Sequence, residues 1–148
     1  MRRTLYFAYG SNLDLTQMRR RCPGARPVGP AVLDGYRIVF AGRSQLWGGG
    51  GVATLLEVHD DWVEGILYEL PLAELTILDG YEGHPVAYRR RLLRVEDEHG
   101  QRRRAQVYVK EASIEAPPSP DYLGVIRRAY HRLGFDDTPL LEAMEGAR

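Results

Sequence analysis

Apolar and polar positions along the chain change period several times, and those changes mark out the elements. Thr4 to Tyr9 is aromatic-rich and predicts a strand, which Gly10-Ser11-Asn12 breaks. Asp14 to Arg21 predicts a short helix, with Asn12 or Asp14 as N-cap and Pro23-Gly24 closing it. Arg26 to Leu33 and Tyr36 to Phe40 predict strands on either side of Asp34-Gly35, a dipeptide typical of hairpin turns. Gly42 to Gly51 predicts a loop. Val52 to Val58 and Trp62 to Leu70 predict two more strands, joined at His59-Asp60-Asp61. Pro71 suits the first turn of a helix through Leu72, Leu75 and Leu78, which stops near Gly80 or Gly83. Tyr88 to Glu96 and Arg103 to Lys110 predict a hairpin around Asp97-Glu98-His99-Gly100. After a stiff Ala116-Pro117-Pro118-Ser119-Pro120 loop, Asp121 is expected to cap a helix to about Leu133. Its apolar stripe is Tyr122, Val125, Ile126, Ala129 and Leu133, a 3.6-residue period. Thr138-Pro139 opens a last short helix to about Met144.

The strands do not alternate regularly with helices, which argues against a doubly wound parallel sheet. Several are apolar on both faces, as at Ile66-Leu67-Tyr68, which suits a curled sheet or small barrel packed by helices. The expected class is α+β. The length of 148 residues, with no repeat and no long linker, predicts one domain over 1–148.

Composition narrows the chemistry. No run approaches the roughly 20 apolar residues of a membrane span, and the apolar stretch Leu5 to Tyr9 is too short for a signal peptide. One cysteine, Cys22, allows no internal disulfide, so a reducing, cytoplasmic location is expected. Twenty bases and twenty acids cancel, and every base but Lys110 is arginine. That balance gives no support for a nucleic-acid or membrane partner. The triplets Arg19-Arg20-Arg21, Arg89-Arg90-Arg91 and Arg102-Arg103-Arg104 are short, and strand alternation splits the last two between faces. Apolar strand faces allow a homodimer without demanding one.

His59, His84, His99 and His131 lack metal-ligand spacing, and Gly42-Arg43-Ser44 lacks the second glycine of a nucleophile elbow. The glycines at 48–51 lead into a strand and are followed by no Gly-Lys-Ser/Thr, so they form neither a dinucleotide loop nor a P-loop. Cys22 ends a helix, where the dipole disfavours a thiolate. Chemistry by a carboxylate and by backbone amides remains, and no cofactor or metal is called for.

Two segments carry it. Tyr9-Gly10-Ser11-Asn12-Leu13 lies where a strand turns into a helix, so its free N–H groups can meet an anion. Spacing alone favours a tight turn with a helix cap over a binding loop. Glu82, in Leu78-Asp79-Gly80-Tyr81-Glu82-Gly83-His84-Pro85, ends a helix, a place that disfavours a carboxylate and would raise its pKa. Those residues alone favour a solvated loop glutamate. Asp79 is the competing acid, within a helical turn from which it can bond the following loop.

Tyr6-Phe7-Ala8-Tyr9-Gly10-Ser11-Asn12-Leu13 resembles the N-terminal motif of the gamma-glutamylcyclotransferase family. Leu78-Asp79, Glu82-Gly83 and Tyr88 resemble its catalytic-glutamate segment. Gly50-Gly51-Val52-Ala53-Thr54 and Ala116-Pro117-Pro118-Ser119-Pro120-Asp121-Tyr122 resemble the animal enzymes in the same order. The resemblance spans about residues 4 to 135. It implies a small six-stranded mixed β-barrel flanked by three or four α-helices, and release of 5-oxoproline from a small gamma-glutamyl substrate, as in glutathione metabolism. It implies that Tyr9, Gly10, Ser11 and Asn12 hold the glutamyl head, and that Glu82 is the general acid and base. It also implies that Tyr6, Tyr88 and Tyr122 line or border the site. On pattern alone Tyr122 reads as core. Two rivals stay open: turnover of gamma-glutamyl amines or a gamma-glutamyl-acylated natural product, and a binding protein on the same fold without turnover.

Overall fold

The computed structural model describes residues 2–111 and 114–148. Five strands, β1 (Arg3–Ala8), β2 (Arg26–Ser44), β3 (Gly50–Pro71), β4 (Arg89–Asp97) and β5 (Arg102–Val109), close a barrel in the order β1-β3-β2-β4-β5. The β1–β5 seam is parallel and the other pairings are antiparallel, so the barrel is mixed. Four α-helices accompany it: α1 (Leu15–Arg21), α2 (Leu72–Glu82), α3 (Pro120–Leu133) and α4 (Thr138–Gly146). Among the described residues no helix is long and apolar enough to cross a membrane.

Among the described residues five strands stand in place of the expected six, because His59-Asp60-Asp61 and Asp34-Gly35 each lie within one strand, and Asp34-Gly35 does not turn the chain. It lies inside β2, where Asp34 pairs with Trp62 and Tyr36 with Glu57. One residue on β2, Gly35 (φ 85°), therefore faces a longer excursion on β3 that holds Asp60 at φ 70°. A glycine-type β-bulge uses the same positive φ as a hairpin turn, so the dipeptide cannot distinguish them locally. The hairpin turn lies later, in the expected loop, at a 3₁₀ turn over Gln45–Trp47 followed by Gly48 and Gly49 at φ 68° and 83°. His59-Asp60-Asp61 likewise bends a single strand. The 97–100 hairpin forms as expected, with Asp97 Oδ1 accepting from the His99 and Gln101 amides at 2.9 Å each.

Burial explains the double-faced strands. Ile38, Val39, Phe40 and Ala41 are all buried in succession. The far half of the β2–β3 hairpin is covered by the segment 114–118, which bonds Phe40 O through the Ala116 amide and accepts from Gly51 N through Pro117 O at 2.9 Å. The stripe of α3 buries Tyr122, Ile126 and Ala129, joined by Tyr130, while Val125 and Leu133 are only partly buried. Ser119, not Asp121, caps α3, its hydroxyl accepting from Tyr122 N at 3.3 Å. Asp14, not Asn12, caps α1, accepting from Gln17 N at 3.0 Å, which leaves the Asn12 side chain free for other partners.

Gly51 is where the 114–118 segment comes closest. A Cβ there would lie 2.0 Å from Ala116 O. Gly51→Ala is expected to destabilise the fold by about 1–3 kcal/mol. A lowered midpoint in thermal denaturation checks this, and an unchanged midpoint would mean the segment shifts without cost.

Candidate functional site

The end of β1, the end of α2 and the β2–β3 turn meet around a cavity of about 260 Å³. Tyr6, Tyr9, Gly10, Ser11, Asn12, Glu82, Tyr88 and Tyr122 all line it. The geometry thus brings these eight residues together from four separate stretches of chain, whereas Asp79, the competing acid, is not in the lining.

The local architecture follows from the break after β1. The chain enters a 3₁₀ turn, Ser11–Leu13, whose bonds run from Leu13 N to Gly10 O and from Asp14 N to Ser11 O. The Ser11 and Asn12 amides have no acceptor among the described residues, as expected for the first N–H groups of a helical turn. Asn12 is only 3% exposed, and its side chain is bonded at both ends. Its Oδ1 accepts from Gln17 Nε2 (3.0 Å) and Arg21 Nη1 (3.2 Å). Two donors on one side orient the amide, so Nδ2 faces Tyr6 Oη at 3.0 Å and Glu82 Oε1 at 3.5 Å. Tyr68 donates to the Asn12 carbonyl at 2.8 Å and pins the turn to β3.

Glu82 is the last residue of α2, before Gly83 in the left-handed conformation. Its carboxyl pKa is raised to about 7, first by loss of water around it and then by Asp79, against the lowering pull of Arg21 and Lys110. Sequence reasoning put weight on the helix terminus; burial is the larger cause. Glu82 is the single acid of the lining, beside the bases Arg21, Arg43 and Lys110. Arg21 is held between Asn12 Oδ1 and the Tyr81 ring, 4.6 Å from its centroid. Lys110 lies over the Tyr88 ring at 5.1 Å and donates to Ala87 O at 3.2 Å. Thr54 fixes it by exchanging two bonds with the Lys110 backbone.

The tyrosine hydroxyls stay protonated. Burial raises Tyr6, Tyr9, Tyr88 and Tyr122 above the usual phenol range, and the Glu82 charge adds to each. Tyr9 donates to Tyr108 O at 2.5 Å and Tyr88 to Ala53 O at 2.6 Å. Tyr122 is both core and site: its ring meets Phe40 and Trp47 edge-on, while its hydroxyl accepts from Ala53 N at 2.8 Å. Asp79 turns away from the cavity, accepting from Tyr108 (2.5 Å) and Arg90 (2.7 Å), and its backbone carbonyl alone bonds the following loop at His84. Cys22 is buried, its thiol pushed up to about 11 chiefly by burial.

Sequence reasoning missed Arg21, Tyr108, Lys110 and Trp47. Trp47 sits in the Gly42 to Gly51 stretch, which the sequence marks only as a loop. The others gave no local sign, because their place depends on barrel closure.

The model of the family described as gamma-glutamyl cyclotransferase, AIG2-like, matches residues 6–124. The protein belongs to this family. A gamma-glutamylcyclotransferase from Homo sapiens is 32% identical over 127 residues, covering 82% of this chain and 67% of the human one. A solved gamma-glutamyl cyclotransferase superposes with a TM-score of 0.86 at 29% identity, over 99% of this chain and 86% of its own. A glutathione-specific relative from yeast shares the fold at 16% identity and a TM-score of 0.69, over 99% of this chain and 97% of its own.

A raised carboxyl pKa carries a stability signature independent of activity. The folded pKa of Glu82 lies above the unfolded value near 4.5, so its protonated form favours folding below about pH 4.5. That contribution is lost as pH rises through about 7. Glu82→Gln, which stays neutral, is therefore expected to be more stable than wild type at pH 8 by on the order of 2 kcal/mol. The gap should close near pH 4. Chemical denaturation at both pH values checks this; equal stabilities at pH 8 would leave Glu82 an ordinary carboxylate.

Proposed function

We propose that the protein cyclises the glutamyl part of a gamma-glutamyl compound, releasing 5-oxoproline and a free amine or amino acid, with Glu82 carrying the proton. The observation that bears most weight is the lone acid among the described residues of the cavity lining, with a pKa near 7, bonded to the Asn12 side-chain amide and sharing the cavity with Ser11 and Asn12, whose backbone amides are unbonded. A base with a pKa near the working pH is the most effective proton carrier.

The substrate's α-carboxylate meets the Ser11 and Asn12 amides and the charge of Arg21. Its α-ammonium gives a proton to Glu82. The freed amine attacks the γ-carbonyl within the same molecule, and the C–N bond of a five-membered lactam forms. Tethering and a folded pose supply effective molarities on the order of 10⁵–10⁸ M. Tyr6 and Tyr122 each accept a bond while their own hydroxyl protons have no acceptor among the described residues, so both can donate to the developing oxyanion. Glu82 then passes its proton to the departing nitrogen as the oxyanion collapses and the γ C–N bond breaks; the second proton of the attacking nitrogen follows through Glu82 to the freed amine, which leaves as an ammonium. The carboxyl ends as it began.

The charge of the lining favours one substrate class. Three bases against one acid leave an excess of positive charge. A gamma-glutamyl amino acid brings a second carboxylate beyond the γ-amide, whereas a neutral-tailed gamma-glutamyl amine brings none.

A panel of gamma-glutamyl amino acids and gamma-glutamyl amines, followed by 5-oxoproline release, tests the reading. The amino acids should be turned over with the lower KM. Glu82→Gln should keep the fold and lose at least about 10² in turnover. The wild-type kcat/KM should fall as pH drops below about 7, because the protonated carboxyl cannot accept the ammonium proton. Turnover of Glu82→Gln within a few-fold of wild type would remove Glu82 from the mechanism.

A further inference from the structure

A second cavity, of about 350 Å³, shares no lining residue with the first. It lies where the bend of the β2–β3 hairpin meets α3 and the start of α4. Four carboxyl side chains line it, Asp61, Glu64, Asp136 and Glu142, with Arg37 as the one base. Arg37 is exposed and ion-pairs with none of them within 4.0 Å among the described residues. Asp136 has one oxygen, Oδ1, committed to the Thr138 amide and hydroxyl at 3.0 and 2.8 Å. The neighbouring Asp137 pairs with Arg127 and lies 3.2 Å from His131 Nε2, and it is not part of the lining.

A group of acids alone would be a solvated surface. Two further features point to an occupant. Tyr130 is only 2% exposed, yet it belongs to the lining and its hydroxyl has no partner among the described residues. The Tyr130 oxygen is not among the fully enclosed unpartnered atoms, so the tip of this otherwise buried side chain opens to the cavity with its bonding capacity unused by protein. Trp62 presents its indole to the same space at 57% exposure. An indole face beside carboxylates is a common setting for an organic cation.

We propose that this cavity binds an organic cation with a primary ammonium group, held by Glu64 and Asp136, accepted by the Tyr130 hydroxyl and covered by Trp62. Burial and the Asp136 charge both raise the Glu64 carboxyl, and a bound cation relieves that repulsion. A bare metal ion fits less well: no group of three or more His, Cys, Asp or Glu among the described residues could hold one.

Calorimetric titration with cadaverine at constant ionic strength tests the site, with 1-pentanol as the neutral analogue. Cadaverine is expected to bind saturably with a Kd at or below about 1 mM. Pentanol should give no signal. Glu64→Gln should raise the Kd by about tenfold and Tyr130→Phe by about fivefold, while 5-oxoproline release stays unchanged. Trp62→Ala should weaken binding as well. No saturable heat with cadaverine, an equal response to pentanol, or a Kd that Glu64→Gln leaves unchanged would each overturn the proposal. Should Tyr130→Phe fail to fold, Glu64→Gln at the rim still decides.

Discussion

A carboxyl group partly withdrawn from water governs this structure. Glu82 ends a helix, surrounded by tyrosines, and burial alone would push it toward the neutral form. Arg21 and Lys110 pull the other way, and the balance settles near neutrality. Each of those cations is itself held by the fold. Arg21 depends on Asn12 and Tyr81, and Lys110 on Thr54, Tyr88 and Ala87. Asn12 in turn is oriented by Gln17 and pinned by Tyr68. The acidity of one side chain is thus set by α1, α2, β1, β3 and the end of β5 together.

The same dependence explains what could be read from the chain. Gly10, Ser11, Asn12 and Glu82 were visible because a strand break and a helix end are local events with local sequence marks. Tyr6, Tyr88 and Tyr122 could be named only by resemblance, since an aromatic residue on an apolar stripe looks like core. Tyr122 packs its ring in the core and also lines the cavity, two placements that one periodicity cannot separate. Arg21, Tyr108 and Lys110 had no mark at all. They reach the cavity only because β5 closes against β1 and α1 folds back under the turn.

The fold was legible in class and in helix placement, and it departed from expectation where one local chemistry serves two geometries. Asp34-Gly35 supplies positive φ, and the barrel uses it to bend a strand rather than reverse it. Joining the two predicted strands makes β2 long enough to pair with β3 on both sides of the bend. That bend also brings Trp62 and Glu64 toward α3 and α4, so the second cavity is a product of the same glycine. The acids there gain meaning only through Tyr130, which the helical period had passed over.

The account turns on Glu82 being a carboxyl that titrates near neutrality in the folded protein. A carbon-13 NMR titration of the glutamate side-chain carboxyls measures this directly, with Glu82 assigned by the resonance missing from Glu82→Gln. One carboxyl is expected to titrate with a midpoint of about 7. A Glu82 resonance titrating near the ordinary glutamate value of about 4.3 would contradict it.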